Sequence, residues 1–277
     1  MTNTNIKRIE RTVLYLLLTV AAVSMLMPFI WMMLSSLKSQ REIMAMPPKV
    51  FPAKPMFSNY VTAFQMAPFA RFFMNSVIIT VCGVCLQTFL SILMAFTFSK
   101  LEFPGRNVIF ALLLGLMMVP YEMLVITNYA TISRLNMIDT YTAIFLPSAA
   151  SVYYMFILKN YFESVSNSIY YSARMDGATN WKFLWRILVP LAKPALMTTV
   201  LLNTIGMWNT FLWPLIVTNV EEMRTVQVGL NAFTNESGTR FDLLMAATTV
   251  VILPMLILFV FARKYVVTAV SSGGTKG

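Results

Sequence analysis

The 277-residue chain is 58% apolar and only 12% charged, with a mean hydropathy of +0.69, far more hydrophobic than a domain that must keep a wet surface. It contains no histidine, and its net charge of +10 is scattered between apolar runs rather than gathered into a stripe. These features argue against a soluble fold, against histidine-based catalysis or metal binding, and against a nucleic-acid partner.

Six apolar stretches are long enough to cross hydrocarbon about 30 Å thick: Thr12 to Leu34, Asn75 to Phe98, Val108 to Thr127, Thr140 to Leu158, Leu196 to Val217 and Leu243 to Ala262. The first follows Lys7, Arg8 and Arg11, yet it is too long for a signal peptide and no small-x-small cleavage site follows it. It is read as helix one. Pro28, Pro120, Pro147, Pro214 and Pro254 fall inside spans, where kinks are expected and tolerated. Cys82 and Cys85 lie in the second span and read as small packing residues. Between spans one and two, an outer segment of about forty residues with Pro47, Pro48, Pro52 and Pro55 is too irregular for a buried element.

With the N-terminus inside, the cytoplasmic side holds thirteen basic and four acidic residues, against eight and seven outside. That is the asymmetry of the positive-inside rule, and it places both termini in the cytoplasm. No Gly-x-x-x-x-Gly-Lys-Ser/Thr phosphate loop is present, so no ATP hydrolysis is expected of this chain.

The loop from Lys159 to Pro194 is long and amphipathic. Apolar positions at helical spacing lead to Gly177, and Phe183, Leu184, Ile187 and Leu188 begin a second apolar stripe ending at Pro190. The pattern predicts helix, sharp turn, helix, then the fifth span. Gly177 is expected at positive φ, and Asp176 is expected to cap the N–H groups of the second helix.

This loop, Tyr171-Ser172-Ala173-Arg174-Met175-Asp176-Gly177-Ala178 followed by Phe183 and Pro190, resembles the cytoplasmic motif of binding-protein-dependent ABC permeases: Glu-Ala-Ala, two variable residues, Asp-Gly-Ala, then Phe and a Pro pair. Tyr171 stands where the family has Glu, Ser172 where it has its first Ala, and Ser166 where it commonly has Pro. Gly206-Met207-Trp208-Asn209-Thr210-Phe211-Leu212-Trp213-Pro214-Leu215 is similar to the fifth-helix pattern of carbohydrate permeases.

The resemblance implies an all-α, six-helix membrane protein of the type I ABC importer permease fold, residing in a prokaryotic inner membrane. It divides the chain into 1–71 (N-terminus, first span, outer segment), 72–264 (permease domain) and 265–277 (cytoplasmic tail). It further implies a second permease subunit, two ATPases that use ATP and Mg²⁺, and an extracytoplasmic sugar-binding protein. No cofactor is assigned to this chain. The coupling loop would comprise Tyr171, Ser172, Ala173, Met175, Asp176, Gly177, Ala178, Phe183 and Pro190.

For the translocation path the residues themselves offer Gln87, Glu122, Asn203, Asn209 and Trp213. Buried amides need partners that either packing or a solute supplies. Trp213 suits a membrane interface as well as a ligand. Glu122 suits a helix end as well as solute contact. Asn75 and Asn128 follow the same logic. The outer segment from Asn219 to Asp242, including Glu236, lies where the family docks its binding protein; a solvated loop is the other reading. An ion-driven secondary transporter is the alternative function, though it predicts inverted repeats and an intramembrane relay of ionisable groups that the sequence does not offer.

Overall fold

A computed structural model describes residues 3–235 and 238–273; Glu236, Ser237 and the final four residues, Lys276 among them, lie outside the described residues. The described chain is helical apart from one hairpin, in which β1 (Thr234–Asn235) pairs antiparallel with β2 (Gly238–Thr239).

Helix α1 spans Asn3–Ser36 without a break at Pro28. None of its most apolar stretch is buried within the chain, so lipid or a partner must cover it. The segment between α1 and the next long helix carries two short helices, α2 (Gln40–Ile43) and α3 (Ser58–Met66). Helix α2 begins with a capping box: Ser39 accepts from the Glu42 N–H, and the Glu42 carboxylate accepts from the Ser39 N–H at 2.9 Å. Its other oxygen accepts from the Ala53 N–H at 2.9 Å, tying the proline-rich stretch to the turn.

Hydrogen bonds from the Ser39 and Ala53 N–H groups hold the Glu42 carboxyl below its ordinary pKa. The stabilisation is therefore present above the unfolded-state value and is lost as the pH falls through the folded one. Hydrogen-exchange protection at the Ser39 and Ala53 amides, measured against the intrinsic rate at each pH, should fall on acidification through that range. In Glu42→Gln that protection should be weaker already at neutral pH and insensitive to this titration.

Helix α4 (Phe69–Lys100) is the axis of the second compact unit. Its 32 residues reach roughly 48 Å at 1.5 Å per residue, so both ends emerge from the hydrocarbon. At Gly83 an added Cβ would meet Met207 Cε at 2.7 Å and Phe145 Cβ at 3.1 Å; the missing side chain is what lets neighbouring helices approach here.

The middle spans depart from the straight helices expected of them. The third is α5 (Arg106–Leu116), a 3₁₀ turn over Tyr121–Leu124, and α6 (Val125–Arg134), bent by 92°. Before the bend the bonding tightens to i→i−3, from the Met117, Met118 and Val119 N–H groups. Pro120 has no N–H to continue the helix and disfavours helical geometry at Val119. The fourth is α7 (Tyr141–Phe145), a 3₁₀ turn carrying Pro147, and α8 (Val152–Ser164), bent by 50°.

The 159–194 loop forms α9 (Asn167–Met175), α10 (Asn180–Phe183), a π-helical turn Leu184–Leu188, and α11 (Val189–Leu191). An 82° bend then leads into α12 (Lys193–Trp208). The expected fifth span is also divided. Asn209 ends α12, and α13 (Leu212–Val217) follows. After α14 (Val226–Gly229) and the hairpin, α15 runs Phe241–Gly273, well past the expected end at Ala262 and through Pro254. Among the described residues, three helices are long and apolar enough to cross a membrane, or up to six when each bent pair counts as one span.

Two compact units result: Met1–Pro68 with Leu230–Leu253, and Phe69–Gly229 with Pro254–Gly277. In the first, Gln40 ties the segment after α1 to the later loop, donating to Thr239 O at 2.9 Å and accepting from the Asp242 N–H at 3.3 Å. In the second, one core gathers Ala95, Phe96, Met155, Phe162, Phe183 and Leu188, and another gathers Ile79, Ile132, Ala143, Ile144, Trp213 and Val217.

Candidate translocation pocket and elbow

The Ala-Arg-Met-Asp-Gly-Ala motif at 173–178 resolves into a helix C-cap of the Schellman type. Asp176 is the C-cap of α9 and Gly177 follows at φ +77°. The Gly177 N–H donates to Arg174 O at 3.1 Å and the Ala178 N–H to Ala173 O at 2.9 Å. Ala173 and Ala178 are both buried in the adjoining core, the apolar contact this motif calls for. The spacing of Ala, Asp, Gly and Ala is thus the spacing of one turn. Asp176 does not cap the next helix, contrary to the sequence expectation. Thr179 does so, accepting from the Lys182 N–H at 3.2 Å. Having closed the first helix as its C-cap, Asp176 sits too early to serve as the N-cap of the second.

The inner face of this elbow is fixed. Lys100, buried at the end of α4, donates to Val165 O at 2.6 Å and Asn167 Oδ1 at 2.8 Å at the start of α9. Ser166, in the family's Pro position, caps α9 by accepting from the Ser168 N–H. Tyr170 donates to Asn180 Oδ1 at 2.9 Å and packs edge-on against Phe183, ring centroids 5.0 Å apart. Phe183 is fully buried; such a side chain contributes about 1.5–3 kcal/mol. Pro190 stands two residues beyond the π-turn. It lacks the N–H that would bond back to Arg186 O, and a displaced bonding register is a usual response to such a gap.

The outer face is the reverse. Ile169, Tyr171, Met175 and Trp181 project outward, with Tyr171 56%, Met175 88% and Trp181 59% exposed. Ser172 is exposed beside them.

In the membrane part of the same unit, a cavity of about 260 Å³ opens between α4, α7, α8 and α12. Gln87, Asn203 and Trp213, expected from the sequence, line it together. Gln87 donates to Ser148 O, and Trp213, 2% exposed, donates its ring N–H to Ala143 O at 3.0 Å. Asn203, 2% exposed, has an amide nitrogen with no protein partner. Asn209 lies outside the lining: its amide bonds back to Ile205 O at 2.9 Å and so closes α12. Glu122 is exposed on the 3₁₀ turn, also outside the lining.

The sequence reading missed Tyr121, Ser148, Tyr154, Met207 and Thr210 of this lining. The available signal was Pro120 and Pro147, since interrupted helices in a membrane line cavities.

In the same unit, Asn75 is buried and structural. Its amide donates to Glu222 O at 2.7 Å and Arg224 O at 2.8 Å, and its carbonyl accepts from Tyr141. Asp139, at φ +59°, accepts from the Asn219 and Val220 N–H groups. The 219–226 segment is therefore an anchored loop.

Residues 87–272 match the family described as binding-protein-dependent transport system inner membrane component. The chain belongs to that family. It is 32% identical to the arabinooligosaccharides transport system permease protein AraQ of Bacillus subtilis, covering 99% of this chain and 97% of the relative. Among solved structures it resembles a bacterial ABC transporter involved in the import of the acidic polysaccharide alginate, with a TM-score of 0.82, 27% identity, and 96% and 98% of the two chains covered. A second likeness, TM-score 0.70 at 16% identity over 94% of each chain, is to a bacterial alginate ABC transporter in complex with an alginate pentasaccharide-bound periplasmic protein. The chain is an inner-membrane permease subunit of the type I importer fold, a transport component rather than an enzyme, and the ion-driven alternative falls away.

Proposed function

We propose that this permease forms half of the path for a saccharide delivered by an extracytoplasmic binding protein, the other half coming from a second permease subunit. The pocket carries this reading: its amides, hydroxyls and aromatic rings suit a polyol, and at about 260 Å³ it is smaller than the roughly 300–1,000 Å³ of a complete ligand site. The relatives' saccharide substrates support the same class. The anchored 219–226 loop is the surface offered to the binding protein. Both termini and the elbow lie in the cytoplasm, in keeping with the charge asymmetry.

Two ATPase subunits supply the energy, using ATP and Mg²⁺ outside this chain. One docks on Ile169, Tyr171, Met175 and Trp181, which are apolar or aromatic and exposed. Tyr171 in the family's Glu position makes this contact one of apolar burial and stacking rather than charge. Because the inner face is pinned to α4 and α8, displacement of the elbow by ATPase closure is passed to the membrane helices without being absorbed locally.

The test is co-purification of the full chain with the products of its neighbouring genes. The ATPase should accompany it, its activity should rise with saccharide-loaded binding protein, and Met175→Asp should cut its retention about tenfold while leaving the chain folded in the membrane. A chain that purifies without an ATPase would overturn the reading.

A further inference from the structure

A carboxylate that sheds water in a membrane pocket is compensated best by a positive charge, because a few neutral donors offset less of its desolvation. The pocket described above supplies none: among its described lining residues no side chain is charged. Gln87 has its amide nitrogen engaged by Ser148 O, which leaves its carbonyl oxygen as an acceptor. Asn203, in the same lining, holds a buried amide nitrogen that no acceptor of the chain satisfies. The Tyr154 hydroxyl, 3.7 Å from where a Cβ on Gly206 would sit, gives or accepts. A sugar hydroxyl, which also gives and accepts, satisfies such a mixed set. A carboxylate only accepts and would face the Gln87 oxygen unfavourably.

We propose that this chain's half of the path admits neutral saccharides and discriminates against uronate-rich ones, in contrast to the acidic cargo named for its structural neighbour. The proposal rests on the saccharide reading above. An unpartnered, nine-tenths-buried amide in a charge-free lining is its second support.

The test uses the whole assembly of both permeases and the ATPases in nanodiscs, without binding protein. Three oligosaccharides of equal length are titrated against intrinsic tryptophan fluorescence, since Trp213 lines the pocket: a neutral arabino-oligosaccharide, an alginate oligosaccharide, and the same alginate after reduction of its carboxyls to alcohols. The neutral and carboxyl-reduced ligands should bind with similar Kd, and the uronate at least tenfold more weakly. Thr210→Lys, placing a cation at the pocket, should recover at least part of that difference for the uronate. Uronate binding within twofold of its reduced form, or no gain from the added cation, overturns the charge selection while leaving the saccharide path standing. Binding of none of the three overturns the saccharide path itself, and the selection with it.

Discussion

Gly177→Val should reduce coupled uptake and saccharide-stimulated ATP hydrolysis at least tenfold, with the protein still present and assembled in the membrane. The reason lies in the backbone. Gly177 sits at φ +77°, and nothing lies within 4 Å of where its Cβ would be, so no clash inside the chain is at issue. An L-residue in this region costs about 1–2 kcal/mol, and a β-branched one more. Refusing the conformation also forfeits the Gly177-to-Arg174 and Ala178-to-Ala173 bonds, each contributing about 1 kcal/mol. Since about 1.4 kcal/mol is a tenfold change, the elbow's native angle becomes a minor state. Gly177→Asn should keep uptake within about twofold of the parent, because Asn tolerates this region, with Ala between Asn and Val. Uptake that is as poor in Asn as in Val would mean that bulk at the partner surface, and not φ, sets the constraint.

Gly206→Leu should lower uptake at least tenfold, while Gly206→Ala stays within about twofold of the parent. An alanine Cβ would meet the Tyr154 hydroxyl at 3.7 Å, an ordinary contact. A leucine would send three further carbons into a cavity of about 260 Å³. Both replacements favour helix over glycine, by about 0.5–1 kcal/mol for Ala, so a loss confined to Leu reports obstruction rather than unfolding. Equal uptake by the two variants would place the saccharide route elsewhere.

The difference between what the sequence disclosed and what it hid follows the range of the interactions. Hydropathy is a local sum, so α1, α4 and α15 could be read directly, though their ends could not. The elbow was legible because Ala173, Asp176, Gly177 and Ala178 lie within six residues, and the Schellman bonds are as local as the motif. The capping role went to Thr179 rather than Asp176 because that choice depends on where the second helix starts. The bends at Pro120 and Pro147 were visible as prolines but not as angles, which depend on what re-satisfies the freed carbonyls.

The pocket was half legible. Gln87 and Asn203 announced themselves as polar groups in apolar runs. Tyr154, Ser148 and Tyr121 are ordinary residues brought to the cavity by bends elsewhere. Asn75 and Asp139 show the converse, polar groups absorbed by the backbone of a distant loop.

The most direct test of the account is to reconstitute the permease with its partner subunits and saccharide-loaded binding protein in proteoliposomes, and to follow ATP hydrolysis and saccharide uptake together in the parent, Gly177→Val and Gly177→Asn. The account predicts that the two activities rise together in the parent and the Asn variant and collapse together in the Val variant, with the ATPase still bound. Full stimulation and uptake in the Val variant would contradict it.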